Sequence, residues 1–235
     1  MKCDRKRCKI AQQCSCKCAS KASVPYCSSK KKLKTLDDLK ELLENCLAEF
    51  WAKDSDLIEN KVYEPVISGR FAMIIFDVLN REYHLDEKLR LDIEYSKHWS
   101  KKKNVEAIIE HIKHGNHIDS KSKELIDVFE NNSPNKNVRP DIVLHERKND
   151  ENNFFVMELK YFCKKISDLR EEEKHKYDYA KLIILTYPIE KSNSEKSFYG
   201  YKYGIHLNIC KDGALIQIFH NAHKIYSDCL LKKSK

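Results

Sequence analysis

No stretch of this sequence approaches the ~18 consecutive apolar residues that a bilayer-spanning helix needs, so no transmembrane helix is expected. The first residues are basic, but no apolar segment follows them. No secretory leader is therefore expected, and a cytoplasmic protein follows by default. No internal repeat is visible, which excludes a solenoid. The cysteines fall into neither a repeated C-x2-C pattern nor a C-x4-C…C-x2-C pattern, so they do not spell a familiar zinc finger.

What is present is charge and a sizeable apolar fraction. Of 235 residues, 41% are hydrophobic and 34% charged. That suits one soluble globular domain of ordinary size plus a tail. The formal net charge of +8 is unevenly placed. Residues 1–34 carry eleven Lys/Arg and one Asp, whereas the other 201 residues carry 33 Lys/Arg and 35 Asp/Glu. The basic excess belongs to the tail, which suits a polyanion such as nucleic acid or an anionic surface. The plainer reading is a solvated, disordered tail.

Six of the ten cysteines lie in that tail: Cys3, Cys8, Cys14, Cys16, Cys18 and Cys27. In a reducing compartment a tight thiol cluster is more often a metal site than a disulfide framework, and four thiolates could converge on Zn²⁺. A Cys/Lys-rich tail without metal is the alternative. Cys46, Cys163, Cys210 and Cys229 are scattered and read as small buried hydrophobes.

The folded part is expected at 35–235. Thr35 and Asp38 read as a capping box, and Leu36, Leu39, Leu42, Leu43, Cys46, Leu47 and Phe50 recur at helical spacing, predicting a helix over 36–52. A second helix over 63–80 is apolar almost all round and should be buried, with Pro65 in its first turn. Residues 89–95 alternate as a strand. Weak helical patches lie near 104–113 and 121–130, before a loop at 131–137. Two apolar strands, 139–145 and 153–160, flank a polar turn and predict an antiparallel hairpin. A charged helix over 167–180, an apolar strand over 182–187 and a hairpin of 203–210 with 214–219 follow. The whole is α/β, a central mixed sheet flanked by helices.

The hairpin carries the chemistry. Pro140-Asp141 opens its first strand and Glu158-Leu159-Lys160 closes its second. Residues two apart on a strand share a face, so Glu158 and Lys160 point the same way, and the pairing brings Asp141 near them. Two carboxylates and an ammonium at the edge of an apolar hairpin suit phosphodiester hydrolysis. Mg²⁺, or Mn²⁺, takes one or two carboxylates plus water and phosphate oxygens. Such a cation helps to generate the attacking water and to neutralise the phosphate, and a lysine can hold that water or offset developing charge.

The stretch Arg139-Pro-Asp141-Ile-Val-Leu-His145 … Phe155-Val-Met-Glu158-Leu-Lys160 resembles the PD-(D/E)XK nuclease superfamily, especially a group of small prokaryotic members. Glu64 before Val66-Ile-Ser-Gly-Arg70-Phe-Ala72, and then Asp92-Ile-Glu94-Tyr95, stand in the expected order. The resemblance covers about two thirds of the chain, roughly 62–210. It implies the restriction-endonuclease-like fold, a Mg²⁺-dependent endonuclease acting on nucleic acid, and Glu64 as the acid that completes a metal site with Asp141 and Glu158. Dimerisation stays open, although paired cuts in duplex DNA often need two sites, as in a homodimer. No membrane partner is expected.

Plainer readings stand beside these. Glu64 could be a first-turn acid favoured by the helix dipole. Arg70 could pair with a carboxylate inside the fold or contact a phosphate. Arg139, His145 and Arg147 could touch a phosphate, with exposure the default for the last two. Asp92 and Glu94 are solvated or support the site. Tyr95 suits the core. Tyr199, Tyr201 and Tyr203 suit sheet packing better than base stacking. Glu171-Glu-Glu173 reads as an exposed helix face. Two other functions compete with a nuclease: an inactive nucleic-acid-binding module, and a zinc-dependent interaction protein acting through its tail.

Overall fold

The computed structural model describes residues 30–93, 97–98, 101–102, 105–114, 118–133, 138–147, 152–162, 165–166, 173–188 and 199–232. The six tail cysteines, and with them the zinc expectation, lie outside the described residues, as do Glu94, Tyr95, Cys163, Glu171 and Glu172.

The folded unit begins at Lys31 rather than at Thr35. Strand β1 (Lys31–Lys32) comes first, and Leu33 packs against the core. Helix α1 (Leu36–Lys53) starts at the expected capping box: Asp38 N donates to Thr35 Oγ1 at 3.1 Å and Thr35 N donates to Asp38 Oδ2 at 2.7 Å. Such a cap contributes about 1 kcal/mol. Its stripe Leu39, Leu42, Leu43, Cys46, Leu47 and Phe50 is buried, as the helical spacing requires.

A short α2 (Ser55–Glu59) leads to α3 (Glu64–Glu82), with Pro65 in its first turn, where a missing N–H is tolerated. The expectation of burial all round is corrected here. Ile67, Phe71, Ile74, Ile75, Val78 and Leu79 are buried, but Val66, Met73 and Phe76 are about half exposed on the outer side. The helix lies on one sheet face, and among the described residues its far side is left exposed.

Next come β2 (Tyr83–His84), which pairs in parallel with β1, and β3 (Leu89–Ile93). The short antiparallel pair β4 (Lys97–His98) and β5 (Lys101–Lys102) precedes α4 (Glu106–His114) and α5 (Ser120–Asn132), which stand where the two weak helical patches were expected. The hairpin strands are β6 (Ile142–Glu146) and β7 (Phe155–Phe162), antiparallel as expected. Helix α6 (Glu173–Leu185) crosses to β8 (Tyr203–Cys210), β9 (Gly213–His220) and β10 (His223–Leu231).

Two expectations fail in this last third. Residues 182–185 are not a strand but the last turn of α6. The apolar run Leu182-Ile-Ile-Leu185 fits a strand or a buried helix equally by pattern. Packing on every side makes it helix, with 178–186 all buried. Strand β10 was not expected. It is an edge strand with mostly exposed side chains, so it lacks the alternation that marks a half-buried strand.

Six strands form one mixed sheet in the order β10-β9-β8-β7-β6-β3. All neighbours in it are antiparallel except β7 and β8, and a parallel pair needs a crossover, supplied by α6. Alternate residues divide the core. Ile142, Leu144, Phe155, Met157, Leu159, Ile205, Leu207 and Ile216 pack with α1 and α3, whereas Val143, Val156 and Phe219 pack with α4, α5 and α6. This is an α/β fold with helices on both faces of the sheet.

Gly204 sets how closely α6 lies on that sheet. A Cβ there would stand 3.0 Å from Thr186 Cγ2 and 3.2 Å from Leu182 Cβ. A Cβ would be crowded there, and without one the helix comes down closely onto β8.

Candidate active site

Continuing the β6–β7 register one step past Ile142↔Met157 sets Asp141 opposite Glu158. Asp141 N donates to Met157 O at 3.2 Å, and Asp141 Oδ2 accepts from Leu159 N at 2.7 Å. The strand pairing thus holds the Asp141 carboxylate, just before β6, against the middle of β7, which runs on past Lys160 to Phe162 instead of closing there as expected. Glu158, Val156 and Lys160 share the face towards α6, because Phe155, Met157 and Leu159 fill the other.

Glu158 is 1% exposed. Its Oε2 accepts from Lys181 of α6, while its Oε1 is buried without a hydrogen-bond partner. Burial, reinforced by the negative charges of Asp141 and Asp178, outweighs Lys181 and pushes the Glu158 carboxyl up to about 8. Burial also raises the Asp141 carboxyl, although Leu159 N–H, Lys160 and Lys181 pull the other way.

Lys160 reaches around the end of the sheet. Its Nζ donates to Glu64 Oε1 at 3.0 Å and stands 3.7 Å from Asp178 Oδ2. Glu64 is the first residue of α3 and Asp178 belongs to α6, so one ammonium ties both helical layers to the sheet. Burial alone would lower the Lys160 ammonium, but Asp178, Glu64 and Asp141 raise it, and it stays charged.

The four residues expected at the site, Glu64, Asp141, Glu158 and Lys160, therefore meet at one end of the sheet. Asp178 and Lys181 join them and were not foreseen. Lys181 Nζ lies 2.9 Å from Asp178 Oδ1, three residues before it in the helix. Their signal was two charges one turn apart in a segment otherwise apolar from Tyr179 to Leu185. Buried charges of that kind face a partner. Lys160 and Lys181 hold the Asp178 carboxyl below its ordinary value, against the upward pull of burial.

A polar row extends inward from Glu158. The register sets Glu158 beside His206, and His206 beside Gln217; Lys160 lies beside Asn208. His206, Asn208 and Gln217 are buried. His206 Nδ1 faces Asn208 Nδ2 at 3.3 Å, which makes Nε2 the protonated nitrogen, 4.0 Å from Asp178 Oδ2. Burial holds His206 neutral, lowered to about 3 despite Asp178.

The residues suggested for phosphate contact end up in different places. Arg70 donates both Nε and Nη2 to Asp54, at 3.2 and 2.9 Å, and serves the α2–α3 corner. His145 is corrected from exposed to buried. It is 5% exposed, with Nε2 2.9 Å from Asp92 Oδ2. Arg147, exposed as expected, also donates to Asp92 at 2.9 Å. Asp92 is accordingly ion-paired and largely buried at its side chain rather than solvated: burial would raise its carboxyl, but Arg147 and His145 hold it low. Arg139 is exposed two residues before Asp141. Tyr199, Tyr201 and Tyr203 are buried in the packing. Cys46 and Cys210 are buried, but Cys229 is exposed on β10, an edge strand.

Among the described residues no set of three or more His, Cys, Asp and Glu is arranged as a complete metal-binding group. Lys160 engages Glu64, and Lys181 engages Glu158 and Asp178. The donor set nevertheless fits a hard cation. Asp141 and Glu158 are carboxylates at one sheet end, and Glu158 Oε1 is a buried acceptor without a partner. No protein-family model, no curated protein and no solved structure matches this chain.

Proposed function

We propose that this chain is a metal-dependent nuclease, hydrolysing phosphodiester bonds of nucleic acid, DNA in the first instance, on a restriction-endonuclease-like core of the PD-(D/E)XK type. One observation carries the reading. Asp141, Glu158 and Lys160, read from sequence as one site, converge with Glu64 at one end of the sheet, and a buried carboxylate oxygen of Glu158 lacks a partner.

Asp141 and Glu158 would hold Mg²⁺ or Mn²⁺, with Glu64 joining them once Lys160 turns to substrate. The bound cation would supply an activated water and charge neutralisation at the phosphate. Lys160 keeps its proton and is 23% exposed at the side chain, so its Nζ can donate to a phosphate oxygen or orient the attacking water. Leu159 N–H fixes the Asp141 carboxylate, and Asp178 steadies Lys160 from the α6 side. Exposed Arg139 suits a phosphate contact. The basic tail adds attraction that carries no sequence information.

The test is incubation of the full chain with Mg²⁺ or Mn²⁺ and supercoiled, linear or single-stranded DNA, or RNA. Cutting that Asp141→Ala and Lys160→Ala both abolish is the expected result. Binding without cutting on every substrate would favour the inactive module. Deleting residues 1–30 should weaken binding and its salt dependence while leaving cutting in place.

A further inference from the structure

We propose that Lys181 is a resident cation filling the position a second metal ion would take, so that the site accepts one divalent ion per chain. This rests on the nuclease reading and adds to it the number of metal ions.

Glu158 turns its two oxygens to different surroundings. Oε2 is taken by the Lys181 ammonium, and Oε1 is buried with no partner. Lys181 also meets Asp178 Oδ1 at 2.9 Å, so its charge bridges two carboxylates as a second metal ion would. The other Asp178 oxygen, Oδ2, faces cationic and N–H groups without a hydrogen bond among the described residues, with Lys160 Nζ 3.7 Å and His206 Nε2 4.0 Å away.

Charge balance leads to the same number. Once metal binding displaces the Glu158 proton, Glu64, Asp141, Glu158 and Asp178 bring four negative charges, and Lys160 and Lys181 bring two positive ones. The remainder equals one divalent cation. A second divalent ion would leave the buried cluster with a net positive charge before any phosphate arrives, and unbalanced buried charge is costly. Substitution of Lys181 by an uncharged residue of the same length should therefore open the second position.

The experiment is equilibrium dialysis of the full chain against Mn²⁺, counting the ions lost on Asp141→Ala. That subtraction removes any metal held elsewhere. The wild-type chain should lose one. Lys181→Met keeps the methylene stem without the charge and should lose two, a twofold rise, while Lys181→Arg stays at one. The wild-type count decides the matter whether or not Lys181→Met folds: one supports the inference and two overturns it. One ion in a folded Lys181→Met chain, judged by circular dichroism, also overturns it. A wild-type chain that loses none removes the nuclease reading itself.

Discussion

Strands β7, β8 and β9 turn two unlike faces to their neighbours. Towards α1 and α3 they offer Met157, Leu159, Ile205, Leu207, Ile216 and Ile218, all buried and apolar. Towards α6 they set Glu158, His206 and Gln217 side by side, with Asn208 next to Lys160. Both faces are covered, so solvent does not explain the contrast. Glu158 Oε1, His206 Nε2, Asn208 Oδ1 and Gln217 Oε1 are buried without hydrogen-bond partners. Each such atom costs roughly 1–3 kcal/mol. The first face carries stability. The second keeps polar groups that stability alone would not retain, and groups of that kind mark functional sites.

Four substitutions or conditions break or sharpen that division. If the chain is the nuclease proposed above, the largest effect is expected from Lys160→Ala, with a cleavage rate lower by on the order of 10³-fold, about 4 kcal/mol, and little change in melting temperature. Comparable loss of melting temperature and of rate would mean that Lys160 is structural. Leu207→Ala, on the apolar face, should cost about 3 kcal/mol in denaturant unfolding yet leave the rate per folded molecule intact. A catalytic defect there would erase the distinction between the faces.

Gly204→Ala tests the join between them. The added methyl crowds Thr186, Leu182 and Phe219, and a shift of α6 to relieve it should cost about 1–3 kcal/mol. Because α6 carries Asp178 and Lys181, cleavage should fall as well, which a purely structural glycine would not produce.

The smallest effect is a pH slope in the metal-free chain. Folded Glu158 keeps its proton up to about 8, while the unfolded chain has lost it above its ordinary value of 4.5. The folded chain then binds more protons, so stability falls as pH rises. His206 opposes this below 6.5, since it is protonated only when unfolded there. The net fall should therefore emerge between pH 6.5 and 8 in denaturant titrations with chelator. Glu158→Gln should flatten it; a stability that rises over that range would show Glu158 to be well satisfied in the fold.

Much of this was legible in the sequence, and the exceptions have a common cause. The α1 stripe, the capping box at Thr35 and Asp38, the β6–β7 hairpin and the final β8–β9 hairpin follow from local period and turn chemistry. The meeting of Asp141 with Glu158 and Lys160 follows from hairpin register, which is also local. What failed depends on neighbours distant in the chain. Residues 182–185 read as strand because an apolar run is ambiguous until its surroundings are known. Val66 and Met73 read as buried because the sequence does not say that α3 lies on the sheet with one side open. His145 read as exposed because its partner Asp92 lies 53 residues away.

The sequence by itself determined the residue types of the site, their strand parity and the alternation that makes one sheet face apolar. Those properties are set within a few bonds of each residue. Only the tertiary structure decided that Asp178 and Lys181 belong to the site and that Glu158 keeps one oxygen without a partner. Those facts arise where α6 descends onto Gly204, and the energy of a buried charge depends on which opposite charge the fold brings to it.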